Sequence, residues 1–115
     1  MPDNSPITTH ILDASRGCPA AGVHVQLEKL VDGEWQPCGA SQTNSDGRVV
    51  DLLLPSAFTS GSYRLTFATG EYYQQLGTVT FYPQVVIEFI VTDVSQHYHV
   101  PLLLSPFGYS TYRGS

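Results

Sequence analysis

Apolar and polar residues alternate with period two along several stretches of the chain, the spacing of pleated strands with one buried face. The clearest is Val23-His24-Val25-Gln26-Leu27-Glu28, where the odd positions are apolar and His24 and Glu28 are expected to face solvent. Tyr63-Arg64-Leu65-Thr66-Phe67 repeats the pattern, and Val85-Val86-Ile87-Glu88-Phe89-Ile90-Val91 is β-branched enough to read as a more deeply buried strand. Asp32-Gly33 predicts a tight hairpin between a strand ending near Val31 and one carrying Trp35, because Gly supplies the positive φ such a turn needs. Asn44-Ser45-Asp46-Gly47 is a second turn, opening into Arg48-Val49-Val50-Asp51-Leu52, and Pro55 and Gly61 bracket a loop. Only Glu71-Tyr72-Tyr73-Gln74-Gln75-Leu76 reads as helical, with Gly77 placed to end it. Seven or eight short strands, one small helix and no alternation of strand with helix predict an all-β fold, an antiparallel two-sheet β-sandwich.

Length and composition keep that picture and remove several functions. The chain has 115 residues, which fits one domain spanning residues 1–115. Folding a chain of this mass buries roughly two-thirds of the unfolded surface, enough for a core without metal or disulfide staples. Five basic residues (Arg16, Lys29, Arg48, Arg64, Arg113) stand against ten acidic ones, for a net charge of −5, and no cationic stripe exists to grip a phosphate backbone. Nucleic acid is therefore not an expected partner. The longest apolar runs fall far short of the ~20 residues of a membrane helix, so no membrane partner is expected either. Residues 1–6 have neither the cationic start nor the apolar centre of a secretory signal, which predicts cytoplasmic residence. In that compartment Cys18 and Cys38, with no CxxC spacing, are expected to be free thiols. Met1 to Ser5 is the segment expected to be loose.

Candidate chemistry is sparse. His24 alternates with two valines and reads as a surface residue. His97 and His99 lie two apart, which puts both imidazoles on one face of a strand and Tyr98 on the other. Such a pair can hold Zn²⁺ if a third ligand arrives, with His10 as the obvious donor, or one of the two can act as a general base near pH 7. His10 lies on the opposite face from Ile11 and so points away from a core that holds Ile11. Arg48, released by the turn at Asp46-Gly47, offers a planar fork of donors to a flat anion or an oxyanion. Nothing in the sequence supplies either cysteine with the electropositive niche that a nucleophilic thiolate needs, so neither is expected to be a nucleophile. The C-terminal run from Pro101 to Ser115 carries apolar and aromatic residues in place of a charged fade, so it is expected to dock on the fold.

Three blocks of sequence go further. They are Thr9-His10-Ile11-Leu12-Asp13 with Gly17-x-Pro19-Ala20, then Thr43-Asn44-x-Asp46-Gly47-Arg48, then His97-Tyr98-His99-Val100-Pro101-Leu102-Leu103-Leu104-Ser105-Pro106 running into Tyr112-Arg113-Gly114-Ser115. In these blocks the chain resembles the transthyretin-related family of the 5-hydroxyisourate hydrolase type, essentially from Thr9 to Ser115. The terminal Tyr-Arg-Gly-Ser is the feature that separates the hydrolases of that family from its hormone carriers. Cys18 departs from the common pattern, in which Arg often stands between Gly17 and Pro19. The resemblance implies a transthyretin-like sandwich of two sheets with one short helix, and a homotetramer with active sites at subunit interfaces. It implies hydrolysis of 5-hydroxyisourate in urate catabolism, with no cofactor and no metal. His10, Arg48, His99 and Ser115 are the implied catalytic residues. His10, Arg48, Tyr112, Arg113 and Gly114 are the implied substrate-binding ones. The choice of histidine as base and the role of His97 stay open at this level. The alternative function is that of a carrier of small aromatic ligands in the same channel, without catalysis.

Overall fold

The computed structural model describes residues 5–115. The strands are β1 (Ile7–Asp13), β2 (Cys18–Pro19), β3 (His24–Val31), β4 (Glu34–Gln42), β5 (Arg48–Val49), β6 (Gly61–Phe67), β7 (Val85–Val91), β8 (Tyr98–Ser105) and β9 (Gly108–Thr111). One sheet has the order β2-β1-β8-β9, with β5 pairing β1 off this path, and the other has the order β4-β3-β6-β7. A single turn of 3₁₀ helix covers Pro55–Ala57, and α1 covers Thr69–Gln75. Ile7 and Ile11 of β1 and Val100, Leu102 and Leu104 of β8 face Val25, Leu27, Leu65 and Phe67 of the second sheet, forming one apolar core. Among the described residues, no helix is long and apolar enough to cross a membrane.

The alternation at Val23–Glu28 produces the expected faces: Val25 and Leu27 are buried, and His24 is exposed on the outside of the second sheet. Glu28 shares that outer face, yet its side chain is only 14% exposed because Arg64 donates to it at 2.7 Å while stacking on Trp35. The hairpin forms where the sequence places it, with φ of 52° at Asp32 and 81° at Gly33.

Several expectations need correction. β7, like every strand of a two-layer sandwich, turns only one face to the core, so Val86 (42%) and Ile90 (66%) remain exposed on the other. β-branched composition marks a strand but not its depth. The segment Arg48–Leu52 that the turn opens into is strand only as far as Val49, where its pairing with β1 ends. The helix begins at Thr69, two residues earlier than expected. β1 and β8 pair in parallel, so the sandwich is antiparallel in all its strand pairs but this one. Met1 to Asn4 of the segment expected to be loose lie outside the described residues, but Ser5 is buried and its hydroxyl accepts from the Leu53 amide at 3.1 Å.

One buried charge ties α1 to the first sheet. The Asp13 carboxylate accepts from Tyr72 Oη at 2.8 Å, Tyr73 Oη at 3.2 Å, Ser15 Oγ at 2.6 Å and the Arg16 amide at 3.3 Å. Burial pushes its pKa upward, but the combined hydrogen bonds outweigh that and hold it below the ordinary value. Burial and the bond to Asp13 push the Tyr72 hydroxyl up to about 12, and burial does the same to Tyr73. Asp13→Ala orphans two buried tyrosine hydroxyls and is expected to cost about 2–4 kcal/mol, a drop of roughly 8–15 °C in melting temperature. A depressed carboxyl pKa contributes stability above the unfolded value near 3.9, lost as pH falls through the folded value. The melting-temperature gap between wild type and variant should therefore begin to narrow as pH falls from 7 to 3; a constant gap would disprove the role of the ionised carboxylate.

Candidate active site

The outward face of the first sheet gathers the polar chemistry. Residues with the parity of Ile7 and Ile11 point inward, which leaves Thr8 and His10 of β1 on the outside. The parallel register sets Thr8 beside His99, and the antiparallel register of β5 sets Arg48 beside His10. Arg48 owes that position to the turn before it: the Asn44 side-chain oxygen accepts from the Asp46 and Arg48 amides at 2.9 and 3.0 Å. Gly47 adopts φ of 73°, and a Cβ there would come within 2.5 Å of the Ile11 carbonyl oxygen, so the turn needs glycine.

The His10 and His99 rings stack at 6.5 Å, and so do His97 and His99. Thr8, Arg48, His97, His99 and Ser115 line a cleft of about 240 Å³. His99 has its pKa lowered by burial first, then by the positive charge of Arg48 and by its two histidine neighbours. His10 is lowered by burial and Arg48 against an opposing pull from Asp46. Both imidazoles are thus neutral at pH 7 and able to accept a proton. Among the described residues, no three His, Cys, Asp or Glu side chains come together as a metal-holding group.

The tail docks, as its composition predicts, but its residues part company. β9 pairs with β8, and the Gly114 amide donates to the His99 carbonyl at 2.9 Å. A Cβ on Gly114 would lie 2.7 Å from His99 Cδ2, so glycine is needed for this close approach. Ser115 reaches the histidine cleft, whereas Tyr112 and Arg113 line a neighbouring cleft of about 260 Å³ against β7, which His99 also borders. The Arg113 guanidinium stacks on the Tyr98 ring at 4.3 Å and donates to Gln96 Oε1 at 2.8 Å. Within one chain it braces the segment before β8 and does not share the cleft of Arg48. Thr8 escaped the sequence reading, and His97 entered it as a possible metal ligand or base with its role left open; the one signal for Thr8 was its position two residues from His10 on the same strand face. A roomier concavity, about 470 Å³ on the outer face of the second sheet, holds His24 but neither a second histidine nor an arginine.

Residues 7–114 match the model of the HIUase/Transthyretin family. The chain belongs to this family. It is 45% identical over 115 residues to 5-hydroxyisourate hydrolase of Mus musculus, covering 98% of each chain. The hydrolase of Salmonella dublin is also 45% identical, over 112 residues, with 97% of this chain and 82% of that protein covered. Among solved structures, that of Klebsiella pneumoniae 5-hydroxyisourate hydrolase superposes with a TM-score of 0.81 at 35% identity, covering 98% of this chain and all of that one. Sea bream transthyretin in complex with thyroxine superposes with a TM-score of 0.91 at 31% identity, covering 96% of this chain and 95% of that one. The fold is thus the transthyretin-like sandwich, which its hydrolases and carriers share.

Proposed function

We propose that this member of the family is a hydrolase that opens the lactam ring of 5-hydroxyisourate to give 2-oxo-4-hydroxy-4-carboxy-5-ureidoimidazoline, a step of urate breakdown. The observation that carries the reading is the gathering of His99 and Arg48 in one cleft with the His10 ring beside His99 on the same sheet face, in a chain 45% identical to hydrolases over nearly its whole length. Lactam hydrolysis needs a base for water, a cation for the oxyanion that develops at the carbonyl, and groups that hold the flat ring. His99 is the base in this proposal: its Nδ1 is already engaged by the Thr8 hydroxyl at 2.8 Å, which orients the ring and leaves Nε2 available. Arg48 stabilises the oxyanion, and His10, stacked beside His99, positions the ring and relays protons. Ser115 hydrogen-bonds substrate from the rim. Tyr112, Arg113 and Gly114 contribute by fixing the tail that carries Ser115.

A homotetramer with sites at subunit interfaces is part of the same proposal. The cleft of one chain, about 240 Å³, lies below the usual range of about 300–1,000 Å³ for enclosed ligand pockets. It opens on a sheet face that also exposes Val50 and Leu103, so a second copy laid across that face would both cover apolar surface and close the pocket. Cytoplasmic residence fits the two free cysteines. The test is direct: freshly generated 5-hydroxyisourate should lose its absorbance much faster with protein than without, and equally fast in the presence of a strong chelator. Absence of acceleration would leave the carrier role, and inhibition by chelator would point to a metal hydrolase.

A further inference from the structure

The Thr8 hydroxyl lies 2.8 Å from His97 Nε2 and 2.8 Å from His99 Nδ1. A hydroxyl owns one hydrogen, so it donates to one of these nitrogens and accepts from the other. The tautomers of two histidines are thereby coupled through one oxygen. If Thr8 donates to His97 Nε2, it accepts from His99 Nδ1–H, and His99 Nε2 is left as a lone pair. The opposite polarity places a proton on His99 Nε2 and removes the base.

We infer that His97, acting through the Thr8 hydroxyl, is a positioning residue that holds His99 in its Nδ1–H tautomer, with Nε2 free to take a proton from water. The inference rests on the hydrolase reading with His99 as base. Two features favour this polarity, and a third holds His97 in place. Arg48 shares the cleft with His99, and a guanidinium favours a facing lone pair over a facing N–H. His97 is exposed, so its own Nδ1–H can be satisfied by water. Its segment is held from behind, where Arg113 donates to Gln96 Oε1 at 2.8 Å and to the His97 carbonyl at 3.5 Å. When water attacks the carbonyl, one O–H bond breaks, its electron pair stays with the oxygen that forms the new C–O bond, the carbonyl π pair moves onto the carbonyl oxygen facing Arg48, and the proton joins His99 Nε2. The resulting imidazolium keeps Nδ1–H on the Thr8 oxygen, so no hydroxyl has to turn during the step. The groups that face His99 are His10 from β1, with Asp46 beside it, Arg48 from β5, His97 ahead of β8, and Ser115 from the tail.

The experiment compares wild type with Thr8→Val, Thr8→Ser and His97→Ala. It follows kcat and KM across pH and the ¹⁵N shifts of the His99 ring nitrogens. Thr8→Val is expected to lower kcat about 10–100-fold, the usual cost of losing an orienting partner, with KM little changed. Its His99 nitrogens should shift from an Nδ1–H pattern toward a mixture of tautomers, and Thr8→Ser should restore both rate and pattern. His97→Ala, at an exposed position, should fold normally and reproduce part of the loss, and the double variant with Thr8→Val should be no slower than Thr8→Val alone. An Nε2–H pattern in wild type would overturn the inference. So would wild-type kcat in Thr8→Val, a loss confined to KM, or failure of Thr8→Ser to recover. Wild-type protein that does not turn over 5-hydroxyisourate would instead defeat the hydrolase reading, and the ¹⁵N pattern would still report on the relay.

Discussion

Arg48→Ala should lower kcat on 5-hydroxyisourate by about 10²–10³-fold, the usual cost of removing one preorganised group that stabilises an oxyanion. Folding should survive, because Arg48 is exposed and the turn that presents it is held by backbone amides on the Asn44 side chain. A second effect separates charge from mere shape. After burial, the Arg48 guanidinium is the next cause of the lowered pKa of both His99 and His10. Removing it should let those pKa values rise toward the ordinary 6.5, so the acid limb of the residual activity should move to higher pH. Arg48→Lys keeps the charge but not the fork of donors. It should therefore leave the limb in place while recovering only part of the rate. If Arg48→Ala kept near wild-type turnover, stabilisation of the oxyanion would lie elsewhere.

The legible part of this site is the part that local rules govern. Period-two alternation places His97 and His99 on one face and Tyr98 on the other, and the structure agrees, with Tyr98 in the core. The turn at Asn44–Gly47 is written in residue types with defined backbone preferences, and it releases Arg48 where expected. What local rules do not contain is which strand lies beside which. The contact of Thr8 with His97 spans 89 residues and depends on a parallel pairing that neither segment announces. A related limit explains β7, whose β-branched run fits a strand covered on one face as well as one covered on both. Arg113 is the opposite case. The motif Tyr112-Arg113-Gly114-Ser115 places it in the site as a unit. Within one chain, however, the contact of Gly114 with His99 brings Ser115 to the cleft and leaves Arg113 on Tyr98. Motif membership carries no information about side-chain direction.

His99→Asn should be the most damaging single change at the site, lowering kcat by about 10²–10⁴-fold, the range for loss of a general base. The pH dependence identifies it. Burial, Arg48, His10 and His97 all act to keep His99 neutral, so wild-type activity should hold from pH 7 to below 6.5 and decline only as pH falls through the lowered value. The residual activity of His99→Asn should lack that limb, whereas His10→Asn should lose rate but retain it. An acid limb that persisted in His99→Asn and vanished in His10→Asn would exchange the two assignments. Stability has to be followed in parallel, and its sign is fixed. Between the lowered folded pKa values and 6.5 the unfolded chain binds more protons than the folded one, so stability falls with falling pH. His99→Asn removes one of the two responsible groups and should flatten that decline, which makes the variant less acid-sensitive in folding even as it loses catalysis. Both changes trace to the same arrangement, an imidazole held neutral beside a guanidinium on the outer face of a sheet.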